Sequence, residues 1–215
     1  MVKTTTELRI PGHDGAYHYP LFFDRDQQAA LGLDILEVIQ QAPLFTSHMP
    51  KTGAPMSVLM TNCGSCGWLS DQARGYRYEA RHPTTGQPWP PIPQSLLQAW
   101  DRLTEFSKPP EACLINVYTI NAKMALHQDR DEADLDAPIL SVSLGFDCRF
   151  KMGGPTRNAP SANIILASGD ALVLSGPARR SFHGVDRVLP TLGADLPEAL
   201  SRFGVRINLT LRRVT

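Results

Sequence analysis

The chain has 215 residues, 42% of them apolar, with Lys+Arg and Asp+Glu at 21 each and a formal charge of zero. That length and composition suit one globular domain with a core of its own, and exclude a disordered or collagen-like chain. Cutting at residue 110 leaves 9 basic against 10 acidic residues, then 12 against 11, so a polybasic nucleic-acid binder is excluded and any such contact must come from a local patch.

Residues 1–23 are polar and mixed, with Tyr17, Tyr19, Phe22 and Phe23 suited to packing on a larger body. No apolar signal segment follows Met1, and no run approaches the ~20 apolar residues of a membrane span, so the expectation is a cytoplasmic, monomeric protein without a membrane partner. From Asp24 or Asp26, either a plausible N-cap, Leu31, Ile35, Val38 and Ala42 recur at helical spacing and stop before Pro43. A second helix is predicted after Pro93, with Leu96, Trp100 and Leu103 on one face, closed by Lys108-Pro109-Pro110. Between them residues 50–93 are rich in Gly and Pro and hold Trp68, Tyr76, Tyr78 and Trp89, which reads as a loop carrying exposed aromatics.

From Glu111 short strand-like runs alternate with Gly, Pro and Asp: roughly 112–120, 124–130, 138–145, 147–152, 162–167, 170–176, 180–187 and 205–213. Eight such runs suit a jelly roll. The predicted class is α+β, mainly β: a double-stranded β-helix over 111–215, with two helices and a lid from 1–110 packed on it as one domain.

In the second run His127 and Asp129 occupy positions i and i+2, which face the same way on a strand, and His183 lies 53 intervening residues later. Two imidazoles and a carboxylate on one face leave three octahedral positions open, the arrangement of non-haem Fe(II) oxygenases. A His-x-acid pair alone is a weak signal. The last run strengthens it, because alternation puts Arg206, Asn208, Thr210 and Arg212 on one face and Ile207, Leu209 and Leu211 on the other. Two guanidiniums on one face either meet solvent or enclose an anion, and a dicarboxylate would engage both. Asn116 and Tyr118 repeat the pattern in the first run, where a half-buried sheet face is an equally good reading. Cys63 and Cys66 have no second clustered pair, since Cys113 and Cys148 are isolated, so reduced thiols rather than zinc are expected.

Asn116-x-Tyr118, His127-Gln128-Asp129-Arg130-Asp131-Glu132, Ala137 to Gly145, Ser168-Gly169-Asp170, His183-Gly184 and the Arg206–Arg212 strand resemble AlkB, the Fe(II)- and 2-oxoglutarate-dependent dealkylases of nucleic-acid bases. Met60 to Gly64, Gly67-Trp68, Gly75-Tyr76-x-Tyr78 and Pro88-Trp89-Pro90 are similar to that family's nucleotide-recognition lid. The resemblance implies that His127, Asp129 and His183 bind Fe(II), with O2 as co-substrate. It implies that Arg206, Asn208 and Tyr118 take the distal end of 2-oxoglutarate, and that Arg212 and Asn116 sit near its chelating end. Trp68, Tyr76, Asp131 and Arg157 would bind substrate: Trp68 and the His127 ring sandwiching a flipped base, Tyr76 meeting a phosphate beside Arg74, Arg77 and Arg81, and Asp131 facing the exocyclic nitrogen. The implied partner is alkylated single- or double-stranded DNA, or RNA. A 2-oxoglutarate oxygenase acting on RNA, a protein side chain or a small molecule is the alternative, and a non-enzymatic jelly-roll binding module is a third reading.

Overall fold

The computed structural model describes residues 6–191 and 196–215. Its elements are β1 Leu8–Arg9, β2 Ala16–Tyr19, α1 Arg25–Gln41, β3 Phe45–His48, β4 Pro55–Gly64, β5 Gly67–Asp71, β6 Gly75–Glu79, α2 Gln94–Thr104, β7 Ala112–Tyr118, β8 Ile139–Gly145, β9 Asp147–Met152, β10 Ala162–Leu166, β11 Ala171–Leu174, β12 His183–Leu189, α3 Glu198–Ser201 and β13 Arg206–Arg212. An eight-stranded antiparallel sheet runs β1-β2-β11-β8-β13-β7-β4-β3, a three-stranded sheet runs β10-β9-β12, and β5-β6 form a hairpin. The fold is the mainly β double-stranded β-helix.

α1 starts where Asp24 and Gln27 cap each other, Gln27 N donating to Asp24 Oδ1 at 3.1 Å and Asp24 N to Gln27 Oε1 at 2.9 Å. It stops before Pro43, and its Leu31, Ile35, Val38 and Ile39 are buried. α2 ends earlier than the prolines required, because Glu105 takes a left-handed conformation with φ 50°. Both helices pack, through Leu31, Ile35, Leu96 and Trp100, in one core cluster with Ile207, Leu209 and Leu211 of β13. A second cluster joins the large sheet to the three-stranded one, with Leu114, Tyr118, Ile139 and Leu172 among Cys148, Phe150, Met152 and Val185. The alternating polar residues of β13 therefore lie on the face turned away from the helices.

Five expectations need correction. Residues 50–93 are not a loop: they form β4, β5 and β6, and Trp89 is buried, its indole donating to Glu79 O at 2.7 Å. Met60 to Gly64, assigned above to a lid, belong to β4, which pairs with β7. Four strands of the large sheet thus precede residue 110, and the β core extends beyond 111–215.

Residues 124–130 are no strand. His127 makes one isolated bridge to His183, each donating its backbone N–H to the other's carbonyl at 2.9 Å. Nor does the run at 180–187 begin where expected, since Gly176–Arg180 form a 3-10 turn ahead of β12. The four cysteines are free thiols, and no helix among the described residues is long and apolar enough to cross a membrane.

Candidate active site

His183 opens β12, whereas His127 and Asp129 lie on the irregular segment between β7 and β8. What brings that segment close is Gly184: a Cβ there would stand 2.5 Å from Met124 O and 2.9 Å from Ala125 O. The ligating atoms of His127, Asp129 and His183 then lie within 4.8 Å of one another. His127 Nε2 is 3.6 Å from Asp129 Oδ1, and His183 Nε2 is 3.7 Å from Asp129 Oδ2. Each Nδ1 faces a carbonyl at 2.9 Å, Ala125 O for His127 and Ser181 O for His183. A carbonyl only accepts, so both Nδ1 atoms carry hydrogen and both Nε2 lone pairs point at the gap.

The protonation states suit a cation. Burial first, then the neighbouring His127, pushes His183 down to about 4, so its imidazole is neutral at physiological pH. Burial works to raise Asp129, but Arg212, the two imidazoles and Arg179 outweigh it and hold the carboxyl well below its usual range. Two imidazoles and one carboxylate on one side of a gap fit an open-sided Fe(II) site.

Beside this set, the β7–β13 register pairs Arg206 with Tyr118 and Asn208 with Asn116 directly across the ladder. Arg206 is fully buried, and its guanidinium donates to Phe146 O at 2.8 Å, Leu166 O at 3.2 Å and Ser143 Oγ at 2.7 Å, leaving Nε unbonded. All three acceptors are neutral, and among the described residues no carboxylate pairs with it. A whole positive charge out of water without a counter-charge is costly, so the site suits an anionic ligand. Asn116 Oδ1 is a second buried polar atom without a partner. Asn208 Nδ2 donates to Ser141 Oγ at 2.7 Å, and Asn208 Oδ1 accepts from Thr210 Oγ1 at 2.9 Å. Burial raises the Tyr118 phenol above its ordinary value, so it stays protonated as a donor.

Arg212 reaches Asp129 instead of an open anion pocket: Nη2 to Asp129 Oδ2 is 2.8 Å and Nη1 to Tyr78 Oη is 3.1 Å. Glu132 and Arg179 complete this buried group, with Arg179 Nη2 3.1 Å from Glu132 Oε2. Neither residue was singled out from sequence. Ser141 and Ser143 were also missed, although they alternate with apolar residues along β8 and period-2 reading could have found them.

On the rim, the Trp68 indole donates to Asp131 Oδ2 at 2.9 Å and its ring stacks on Tyr76, centroids 5.5 Å apart and planes 24° apart. Tyr76 is 47% exposed. Arg157 Nη1 donates to Leu126 O at 2.9 Å and its guanidinium lies 4.9 Å from the Phe182 ring. The expected basic patch is compensated internally, because Arg77 pairs with Asp71 and Glu79, and Arg74 with Glu79, each at 2.6 Å. Arg81 bonds Gly86 O at 2.9 Å.

A jelly roll with a His-Asp-His face and a buried arginine without a counter-charge beside it defines the class: residues 15–212 match the model of the 2OG-Fe(II) oxygenase superfamily, and the chain is an Fe(II)- and 2-oxoglutarate-dependent dioxygenase. It is 50% identical over 204 residues to the alpha-ketoglutarate-dependent dioxygenase AlkB homolog of Caulobacter vibrioides, covering 95% of this chain and 88% of that one. Over 184 residues it is 45% identical to AlkB of Escherichia coli, covering 84% and 82%. The chain belongs to the AlkB family. It is also 37% identical over 132 residues, 48% of this chain and 34% of the other, to human nucleic acid dioxygenase ALKBH1. The solved structure of OsALKBH1 superposes with a TM-score of 0.72 at 26% identity, covering 97% of this chain and all of that one.

Proposed function

We propose that this dioxygenase removes N-linked methyl groups from nucleic-acid bases of the 1-methyladenine and 3-methylcytosine type, releasing formaldehyde, succinate and CO2. The observation that carries the reading is the rim. A pair of stacked rings, half-buried Trp68 on exposed Tyr76, is tied by a hydrogen bond to a carboxylate two residues beyond Asp129. Flat rings hold a flipped base by stacking worth ~1–3 kcal/mol, and a carboxylate distinguishes cationic alkylated bases from their neutral repaired forms. The human relative's name, nucleic acid dioxygenase, agrees.

His127, Asp129 and His183 would hold Fe(II), which with bound 2-oxoglutarate and O2 supplies the oxidising power. Arg206 would take the distal carboxylate of 2-oxoglutarate, with Tyr118 and Asn208 lining that end. Arg212 and Asn116 would line the chelating end, and Arg212 also orients Asp129. Trp68 would exchange Tyr76 for the base and press it toward the His127 ring, excluding water. Asp131 would face the exocyclic nitrogen, and Tyr76, once displaced, would meet the backbone. Arg157 braces the segment before His127 against the Phe182 ring. The hydroxymethyl product then loses formaldehyde as its N–C bond breaks and the hydroxyl proton leaves. DNA, single- or double-stranded, or RNA would serve, and the enzyme would act as a cytoplasmic monomer, its 215 residues forming one domain.

The test is mass spectrometry of a single-stranded DNA carrying one 3-methylcytosine, after incubation with Fe(II), ascorbate, O2 and 2-oxoglutarate. Loss of one CH2, absent with His127→Ala, is the expected result. Succinate formed without that loss would remove this lesion as substrate; the absence of both succinate and the loss would overturn the iron assignment.

A further inference from the structure

The metal-ligand segment poses a problem that its own backbone does not solve. Asp129 sits outside any strand, so no ladder holds its peptide group, and residues 130–138 are irregular through to β8. Buried backbone carbonyls need donors from elsewhere. Arg179 provides them: Nη1 donates to Asp129 O at 2.6 Å and Nε to Ala137 O at 2.8 Å, gripping both ends of the segment, while Nη2 donates to Glu132 Oε2 at 3.1 Å. Arg179 is 1% exposed and the Glu132 side chain is fully buried. The other Glu132 oxygen accepts from Tyr78 Oη of β6.

Arg179 also lies in the 3-10 turn that runs into β12, four residues before His183. One short piece of chain therefore carries a metal-facing imidazole and the guanidinium that fixes the carbonyl of the metal-facing carboxylate. We propose that Arg179 is a positioning residue, setting Asp129 relative to His183 before any ion arrives, with Glu132 as its buried counter-charge. This rests on the reading that His127, Asp129 and His183 hold the metal. A guanidinium is required because three acceptors diverge from one planar fork, which an ammonium cannot satisfy.

The test is calorimetric titration of the folded protein with Mn(II) in the presence of 2-oxoglutarate, alongside melting temperatures. Arg179→Met alone leaves the buried Glu132 carboxylate with only Arg212, at 3.6 Å, as counter-charge and invites misfolding, so it is paired with Glu132→Gln, and Arg179→Lys serves as a second, charge-retaining variant. Expected is Mn(II) affinity ~10- to 100-fold weaker in the double variant, the usual cost of losing a group that orients ligands, with Arg179→Lys only partly restored and melting held within a few degrees. Where the double variant does not fold, Arg179→Lys decides. Folded variants that bind Mn(II) as tightly as the parent overturn the positioning role alone. A parent that binds no better than Asp129→Ala overturns the metal centre, and the role of Arg179 with it.

Discussion

The indole N–H of Trp68 lies 2.9 Å from Asp131 Oδ2, so the ring that would stack on a base and the acid that would read its charge are bonded to each other. This donor takes one carboxylate oxygen, and under the proposed function the other meets the exocyclic nitrogen of the base. Asp131→Ala should lower the preference for cationic 3-methylcytosine over neutral 3-methylthymine about tenfold, as expected for one charged contact. Comparison of kcat/KM on the two oligonucleotides checks it, and an unchanged ratio removes Asp131 from base reading.

Arg74 and Arg77 are neutralised by Asp71 and Glu79 on the same hairpin. Single-stranded DNA binding should therefore depend only shallowly on salt. Asp71→Asn with Glu79→Gln frees two guanidiniums for phosphates, so affinity should rise at low salt and the log–log salt slope should steepen by about 0.7 for each arginine engaged. Fluorescence anisotropy over a salt series measures both.

Gly184 leaves no room for a Cβ beneath Met124 and Ala125. Gly184→Ala should push the 124–127 segment outward and carry His127 with it. Mn(II) binding should weaken by an order of magnitude or more while the circular dichroism spectrum stays native; parent-like affinity would show that His127 is held by other contacts.

Glu111 ties the end of the chain after β13, accepting from Thr215 Oγ1 at 2.7 Å, Thr215 N at 2.7 Å and Val214 N at 2.8 Å. Burial works to raise this carboxyl, but those donors and Arg213 hold it below its ordinary value of 4.5. A carboxyl depressed in the folded state stabilises fully above its unfolded value and loses that contribution as pH falls through the folded one. Glu111→Gln should thus melt below the parent at pH 7, with the gap closing below about pH 4.5. A gap constant over pH 7 to 3 would contradict it.

Much of this was legible because periodicity survives in regular elements. α1, α2 and the Arg206–Arg212 strand are written in spacings of 3.6 and 2, and the buried Arg206 follows from alternation once Ile207 and Leu209 face the helices. The metal-facing residues were found for a reason only half right. His127 and Asp129 do converge, yet on an irregular segment held by a single bridge and by Arg179. Long-range guanidinium contacts such as Arg179 to Glu132 leave no periodic trace. β4 was hidden because Met60 to Gly64 matched a known motif while its pairing with β7 lies fifty residues away.

β13 follows every other described strand in the chain, yet it lies in the middle of the large sheet, between β8 and β7. During synthesis those two neighbours must wait, unpaired on facing edges, until β13 itself has been made. Both Arg206 and Arg212 arrive with that stretch. Without β13 the large sheet is split between β8 and β7, and the guanidinium proposed to receive a dicarboxylate is missing with it. Closure and competence come in one event, governed by contacts of long sequence separation.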